Sequence, residues 1–300
     1  MDRRVVVEAP AKINLHLQVL GTRPDGFHDI LSLFQAISLS DTLDIRVHSG
    51  AEIRVYGDFD CPEKENTIYR AARAFLEAVG SSEGVEMRAE KRIPLGAGLG
   101  GGSSDAAAVL KALNRVFGDA LTGPELALLG AGIGSDVPFF LGEPCAVVAG
   151  RGEVLDPAEA RSDFRVVVLF PGFPIRTAYA YATVDEVRKG NPDWIRETWD
   201  ADRIREEYRK EPRSWRFRND FFDCLISRNP ELDGVERAVR DTDASFAGMT
   251  GSGSAFFGIY ESQAAADRAA GILNEREGGN DRWIAATAAP LARMPVPRLQ

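Results

Sequence analysis

The 300-residue chain is 44% hydrophobic and 27% charged, enough to bury a substantial core and to form two domains. Its formal charge of −9 opposes a general nucleic-acid-binding role. The charged start Met1-Asp-Arg-Arg-Val-Val-Val-Glu8 and the lack of an apolar run of ~18 residues argue against secretion and membrane spanning, so a soluble cytoplasmic protein is expected. Cys61, Cys145 and Cys224 are far apart without a Cys-x-x-Cys pattern, and His16, His28 and His48 lack ligand spacing, so neither disulfides nor a structural metal site is expected.

Ile13, Leu15, Leu17 and Val19 alternate with Asn14, His16 and Gln18, the period of a strand with one buried face. Lys12 and Asn14 then share the other face, which reads as the wet side of an antiparallel strand. Arg23-Pro-Asp-Gly26 is a turn, followed by Phe27 and His28. Leu43, Ile45 and Val47, then Ile53 and Val55, predict two strands joined as a hairpin near Ser49-Gly50. Asn66 can cap a helix with apolar positions Ile68, Ala71, Ala72, Phe75 and Val79, ending before Gly80. Val85, Met87 and Ala89 suggest the next strand.

After that strand comes Pro94-Leu-Gly-Ala-Gly-Leu-Gly-Gly-Gly-Ser-Ser-Asp-Ala-Ala107, with five glycines from Gly96 to Gly102. Glycine takes positive φ freely and lets backbone amides approach a ligand, so this stretch predicts a phosphate-binding loop. Ser103, Ser104 and Asp105 read as caps of the helix that follows, whose N-terminus favours an anion. Gly96, Gly98 and Gly101 also satisfy G-x-G-x-x-G, but the βαβ setting of a dinucleotide fingerprint is missing, as is the Gly-Lys-Ser/Thr of a Walker A loop. A flexible linker is the bland alternative.

A further helix is predicted from Pro124 to about Ala131, broken at Gly132-Ile-Gly134. In Ser135-Asp-Val-Pro-Phe-Phe140, Pro138 biases Val137 away from helical dihedrals, so a turn holding Asp136 is expected. Taken alone, Asp136 reads either as a cap or as a base. Strands are predicted at 146–149, 151–155 and 165–170, with the polar stretch Asp156 to Asp163 as a domain boundary. Residues 185–218 are densely charged and carry Trp194, Trp199 and Trp215, which suggests solvated helices with aromatic anchors. Gly248 to Tyr260 is a glycine-serine loop leading into a strand, and a helix over 263–273 and a strand over 283–287 complete an α+β second half.

Three segments together, Pro10-Ala-Lys-Ile-Asn-Leu15, Pro94 to Ser104, and Thr250-Gly-Ser-Gly-Ser254, resemble the ordered motifs of the GHMP small-molecule kinases. Ala9 to Asn14, Arg23 to His28, Ser135 to Phe140 and Asn219-Asp-Phe221 resemble the branch acting on a cytidylylated methylerythritol in the non-mevalonate isoprenoid route. The resemblance spans nearly the whole chain. It implies a two-domain α+β fold, with a ribosomal-protein-S5-like N-terminal domain over 1–160, a ferredoxin-like C-terminal domain over 161–300, and the active site between them. It also implies transfer of the ATP γ-phosphate to the tertiary 2-hydroxyl of that substrate, with magnesium arriving on the nucleotide.

By the same resemblance Asp136 is the general base and Lys12 its partner. Pro94, Gly96, Gly98, Gly100, Gly101, Gly102, Ser103 and Ser104 would hold the nucleotide, with Asn66 near the adenine. Asn14, Asp136, Gly251 and Ser252 would meet the substrate. His28 would hydrogen-bond the cytosine between Phe27 and Tyr181, with Phe27 standing where the family usually has tyrosine. Kinases of homoserine or mevalonate derivatives are the alternatives within the family. A nucleotide-cofactor oxidoreductase and an RNA-binding module are the alternatives outside it.

Overall fold

A computed structural model describes residues 3–190, 197–278 and 281–300. The first half is a seven-stranded sheet backed by helices. Its strands are β1 (Arg3–Thr22), β2 (His28–His48), β3 (Ile53–Tyr56), β4 (Gly84–Glu90), β5 (Cys145–Gly150) and β6 (Val154–Pro157), joined by a strand from the other end of the chain. The helices are α1 (Thr67–Val79), α2 (Gly101–Val116), α3 (Gly123–Ile133) and α4 (Val137–Leu141). The second half begins with β7 (Arg165–Phe170) and α5 (Thr177–Gly190), followed by α6 (Ala201–Arg209), α7 (Asp220–Leu225) and α8 (Glu231–Arg240). It continues through β8 (Phe246–Met249), β9 (Phe256–Tyr260) and α9 (Gln263–Glu275), then the short pair β10 (Glu277–Gly278) and β11 (Asp281–Arg282), and β12 (Ile284–Ala288). Finally β13 (Arg298–Leu299) returns to pair with β1.

Hydrogen bonding orders the first sheet β13-β1-β2-β4-β3, with β5 and then β6 attached to the other end of β2. The long strand β2 thus serves two neighbours, pairing with β5 over residues 30–35 and with β4 over 42–48. The second sheet has the order β12-β7-β9-β8 and is fully antiparallel. With helices between its first and second and its third and fourth strands, it has the ferredoxin-like β-α-β-β-α-β order. Among the described residues no helix is long and apolar enough to cross a membrane.

Several local expectations give way to tertiary context. The strands near Ser49-Gly50 do not form a hairpin, because β4 lies between β2 and β3 and pairs in parallel with β3. Alternation identifies a strand but not its neighbour. Residues Arg151 to Glu153 turn, and the strand begins at Val154. Helix α2 starts at Gly101 behind a left-handed Gly100, so Ser103, Ser104 and Asp105 lie inside the helix. Val137 and Pro138 open α4, since proline is tolerated in a first turn where its missing N–H has no helical partner.

The largest departure concerns burial. The face of β1 expected to be wet is buried: Lys12, Asn14, His16 and Gln18 are at most 3% exposed. The other face is buried as well. Ala11, Ile13 and Leu15 join a core between the two sheets, with Ala97 and Leu99 from the glycine stretch, Val166 and Val168 from β7, and Phe257 and Ile259 from β9. Trp199, Tyr208 and Trp215, from the charged segment expected to be solvated, complete this core. Trp194 lies outside the described residues. On α6 Asp202, Glu206 and Arg209 face solvent while Ile204, Glu207 and Tyr208 are buried, Glu207 accepting from the Arg216 N–H and Lys210 Nζ, so most but not all of the charge lies on its outer side.

His16 shows what that burial does. Its ring stacks on Trp199 at 4.6 Å, Nε2 donates to Gln18 Oε1 at 3.3 Å, and Nδ1 accepts the Arg218 N–H at 3.3 Å. Both nitrogens are committed to the neutral ring, and burial pushes its pKa down from 6.5 to about 3. The unfolded chain therefore takes up the proton first. This contribution to stability is complete above pH 6.5 and is lost as pH falls toward 3. We expect the stability advantage of the native protein over a His16→Gln variant to shrink by about 1.4 kcal/mol per pH unit below that point. Urea midpoints at pH 7, 6 and 5 read this directly, and a constant advantage would rule His16 out as the titrating group.

Candidate active site

The three motifs meet at one place on β1. Pairing of β1 with β2 shifts register between Asn14 and His16, a bulge of the kind that re-aims side chains beside functional sites. Lys12 Nζ donates to Asn14 Oδ1 at 2.6 Å and to the Gly98 carbonyl at 2.9 Å, and lies 3.8 Å from Asp136 Oδ2. It also sits 4.8 Å from the Phe34 ring centroid. Burial lowers the Lys12 pKa, and the Asp136 carboxylate opposes that shift.

The glycine loop is fastened through its carbonyls. Those of Ala97, Gly98 and Leu99 accept, respectively, the Ala255 N–H at 3.1 Å, Lys12 Nζ, and the Lys12 N–H at 3.0 Å. Gly96, Gly98 and Gly100 all have positive φ, the conformation glycine adopts freely. Among the described residues, the N–H groups from Gly96 to Gly100 have no intramolecular acceptor. Carbonyls are spent inward and amides left free, next to the N-terminus of α2. This is the chemistry of an anion cradle. The dinucleotide reading lacks its context, since the strand before the loop is antiparallel to β2 and α2 leads to α3 rather than to a parallel strand.

The third motif closes over the loop. Thr250 Oγ1 accepts the Asn14 N–H at 3.0 Å and lies within donating reach of Asn14 Oδ1 at 3.1 Å and the Gly98 carbonyl at 3.3 Å. Gly251 N–H donates to Asn14 Oδ1 at 2.9 Å. Asn219 Nδ2 holds this turn from behind by donating to the Met249 and Gly251 carbonyls at 2.8 and 2.9 Å. Thr177 and Ser252 hydroxyls are 3.0 Å apart. The result is a cleft of about 240 Å³ lined by Lys12, Asn14, Gly98, Gly100, Asp136, Arg151, Thr177, Tyr181, Gly251 and Ser252, among others.

The remaining predicted residues spread around this cleft. Pro94 is half-buried, and Gly96 faces Pro174. The Ser103 hydroxyl lies beside the Gly134 turn. The Ser104 N–H donates to the Gly100 carbonyl at 2.9 Å, and its buried hydroxyl has no partner among the described residues. Asn66 caps α1 through Oδ1, which accepts the Ile68 N–H at 2.9 Å. Its neighbour Thr67 donates to the Gly102 carbonyl at 2.7 Å, tying α1 to the loop. Gly101 and Gly102 form the first turn of α2.

His28 stacks on Tyr181 at 4.6 Å, and its Nε2 donates to Asp185 Oδ1 at 2.8 Å. Phe27 is 52% exposed with the Arg151 guanidinium 4.6 Å from its ring centroid. Burial, with the Asp136 charge, pushes the Tyr181 phenol up to about 12, so it stays neutral. Sequence reasoning missed Asp185, Arg151 and Thr177. Asp185 lay unmarked in a charged run, although its position four residues after Tyr181 on α5 places both on one helix face.

Comparison with known proteins identifies the family. Residues 66–143 match the family model of the GHMP kinases N terminal domain, and residues 200–278 that of the GHMP kinases C terminal. A 4-diphosphocytidyl-2-C-methyl-D-erythritol kinase of Solibacter usitatus is 39% identical over 283 residues, covering 91% of this chain and 86% of that protein. One of Anaeromyxobacter dehalogenans is 38% identical over 299 residues, covering 97% and 91%. The crystal structure of a 4-(cytidine 5'-diphospho)-2C-methyl-D-erythritol kinase superimposes with a TM-score of 0.80 at 37% identity, covering 97% of this chain and all of that one. A homoserine kinase of Cytophaga hutchinsonii shares the fold at 18% identity, with a TM-score of 0.70 and 99% and 97% coverage. The chain belongs to the GHMP kinases and, within them, to the family of 4-diphosphocytidyl-2-C-methyl-D-erythritol kinases.

Proposed function

We propose that the chain transfers the γ-phosphoryl group of ATP to the 2-hydroxyl of 4-diphosphocytidyl-2-C-methyl-D-erythritol, a step toward isoprenoid precursors. The observation that carries the chemistry is the Lys12–Asp136 pair at 3.8 Å, opening on a cleft whose other wall is a loop of uncommitted amides. Phosphoryl transfer asks a protein for positioning, neutralisation of charge and an acceptor for the hydroxyl proton. Asp136 takes the proton from the substrate hydroxyl as its oxygen bonds to Pγ and the Pγ–O bond to ADP breaks. Lys12 holds that oxygen and offsets its developing negative charge. The loop amides and the N-terminus of α2 bind the transferring phosphates.

Magnesium, when carried on the nucleotide, neutralises phosphate charge. It would be held by the nucleotide's own phosphate oxygens, which leaves Asp136, the carboxylate among the described cleft residues and 30% exposed, to accept the proton. His28, fixed by Asp185 and stacked on Tyr181, reads the cytosine edge, and Phe27 offers a second aromatic face. Asn14 orients Lys12 and so acts on the substrate side of the cleft, and Gly251 and Ser252 close that side.

Purified protein with Mg-ATP should release one ADP per cytidylyl substrate consumed and yield a phosphomonoester visible by ³¹P NMR. Homoserine and mevalonate should give no turnover above background. Failure on the cytidylyl alcohol with turnover of another alcohol would overturn the assignment.

A further inference from the structure

The segments just before and just after the glycine loop converge on a buried ion triad whose members do not line the cleft. Asp41, on β2, is fully buried, and its Oδ1 accepts the N–H groups of Arg92 at 2.5 Å and Ile93 at 2.8 Å, the last two amides before Pro94. Its Oδ2 accepts from Lys91 Nζ, which also donates to Asp105 Oδ2 at 2.5 Å. Asp105, in α2, is 2% exposed, and its Oδ1 has no hydrogen-bond partner among the described residues.

Two carboxylates therefore share one ammonium out of water. Burial, and after it the charge of Asp41, push the Asp105 carboxyl well above the usual carboxylate range, against the pull of Lys91. Such an arrangement is weak as a source of stability, because desolvation of the ions offsets their attraction and one anion is in excess. What it does supply is geometry. Five of the eleven residues between Ile93 and Asp105 are glycine, and although Ala97 and Leu99 pack into the core, ordering the glycine backbone costs roughly 1–2 kcal/mol per residue.

We propose that Asp105, acting through Lys91 and Asp41, is a positioning residue for the phosphate loop: the triad joins Arg92 and Ile93 to α2 at one buried point and holds the loop amides converged before the nucleotide arrives. This rests on the reading of the loop as the ATP phosphate site. Anchoring of this kind raises affinity by reducing the ordering left to be done on binding. It should therefore act on ATP and ADP and leave the cytidylyl substrate untouched.

Asp105→Ala tests it, because Lys91 then faces Asp41 alone, one cation against one anion, and no unpaired charge is left to unfold the protein. Calorimetric Kd values for Mg-ADP and an ATP analogue should rise about tenfold, equivalent to 1.4 kcal/mol. The KM for the cytidylyl substrate should stay within twofold and the melting temperature should not fall. Asp105→Asn, which retains an acceptor for Lys91, should restore most of the affinity. If Asp105→Ala does not fold, Asp105→Ser, too short to reach Lys91, carries the same expectation. Nucleotide affinity within twofold of the native protein in the Ala or Ser variant would overturn the proposal, as would parallel loss for both substrates with a lower melting temperature. Absence of nucleotide binding by the native protein would instead overturn the phosphate reading of the loop, and the positioning role with it.

Discussion

Asp136→Asn is expected to lower kcat by about 10²- to 10⁴-fold, the range for loss of a general base, with nucleotide Kd and thermal stability close to native. The geometry separates this role from a structural one. Asp136 occupies the N-cap of α4 but makes no side-chain capping bond, and its Oδ2 is directed toward Lys12 at 3.8 Å. A capping aspartate would lose about 1 kcal/mol on substitution, whereas a base loses turnover. Asparagine keeps the shape and removes the acceptor for the substrate proton. Single-turnover measurements with saturating ATP and cytidylyl substrate would isolate the chemical step. Turnover within tenfold of native would eliminate Asp136 as the base, and a large fall in stability would make it a structural residue.

The second large effect is at Gly98. A Cβ built there would lie 2.3 Å from the Thr250 carbonyl oxygen, and the residue has φ +79°, so alanine meets both a backbone collision and an unfavourable dihedral. Neither loop can yield cheaply. The Gly98 carbonyl also receives Lys12, and a Cβ at Gly251 would in turn lie 2.8 Å from that carbonyl. Gly98→Ala should therefore part the glycine loop from the third motif, cost about 2–4 kcal/mol of stability, and weaken nucleotide binding and turnover together. Gly102→Ala is the contrast. That residue is helical, and its Cβ would meet only Thr67 Oγ1 at 3.4 Å, so the fold should tolerate it. Urea denaturation and nucleotide titration of both variants would check the difference. Equal stability of the two would mean that the loops are not locked together.

Both effects arise where segments distant in sequence touch, which is also where sequence reasoning loses its hold. Local chemistry was legible wherever a residue answers to its own neighbours. The alternation from Ile13 to Val19 marked β1, and Asn66 and Gly80 bounded α1 as read. The glycines of 96–102 announced a backbone needing positive φ and close approach, and three of them do have positive φ. The ordered motifs together identified the family, because each was short but their sequence along the chain was specific.

Partnership was not legible. Hydrophobic period 2 states that a residue lies in a strand without saying which strand is adjacent, so β3 was assigned to β2 although it pairs with β4. Lys12 and Asn14 alternate like a solvated face, yet the glycine loop and the Thr250 turn cover them. Asp185 was hidden in a charged run because composition averages over both sides of a helix, whereas Trp199 and Trp215, read as aromatic anchors, do pack into the core.

The amino-acid sequence by itself determined most of the strands and helices, the glycine loop, and the family to which the chain belongs, because those properties rest on residue types at short spacings. Only the tertiary structure decided that Lys12, Asn14, Gly98, Asp136 and Thr250 form one polar centre, and that Lys91 with two aspartates anchors the loop. Those contacts span as many as 236 residues of chain. They exist only once burial between two sheets makes an unpaired polar group too costly to leave and so selects the partner for each.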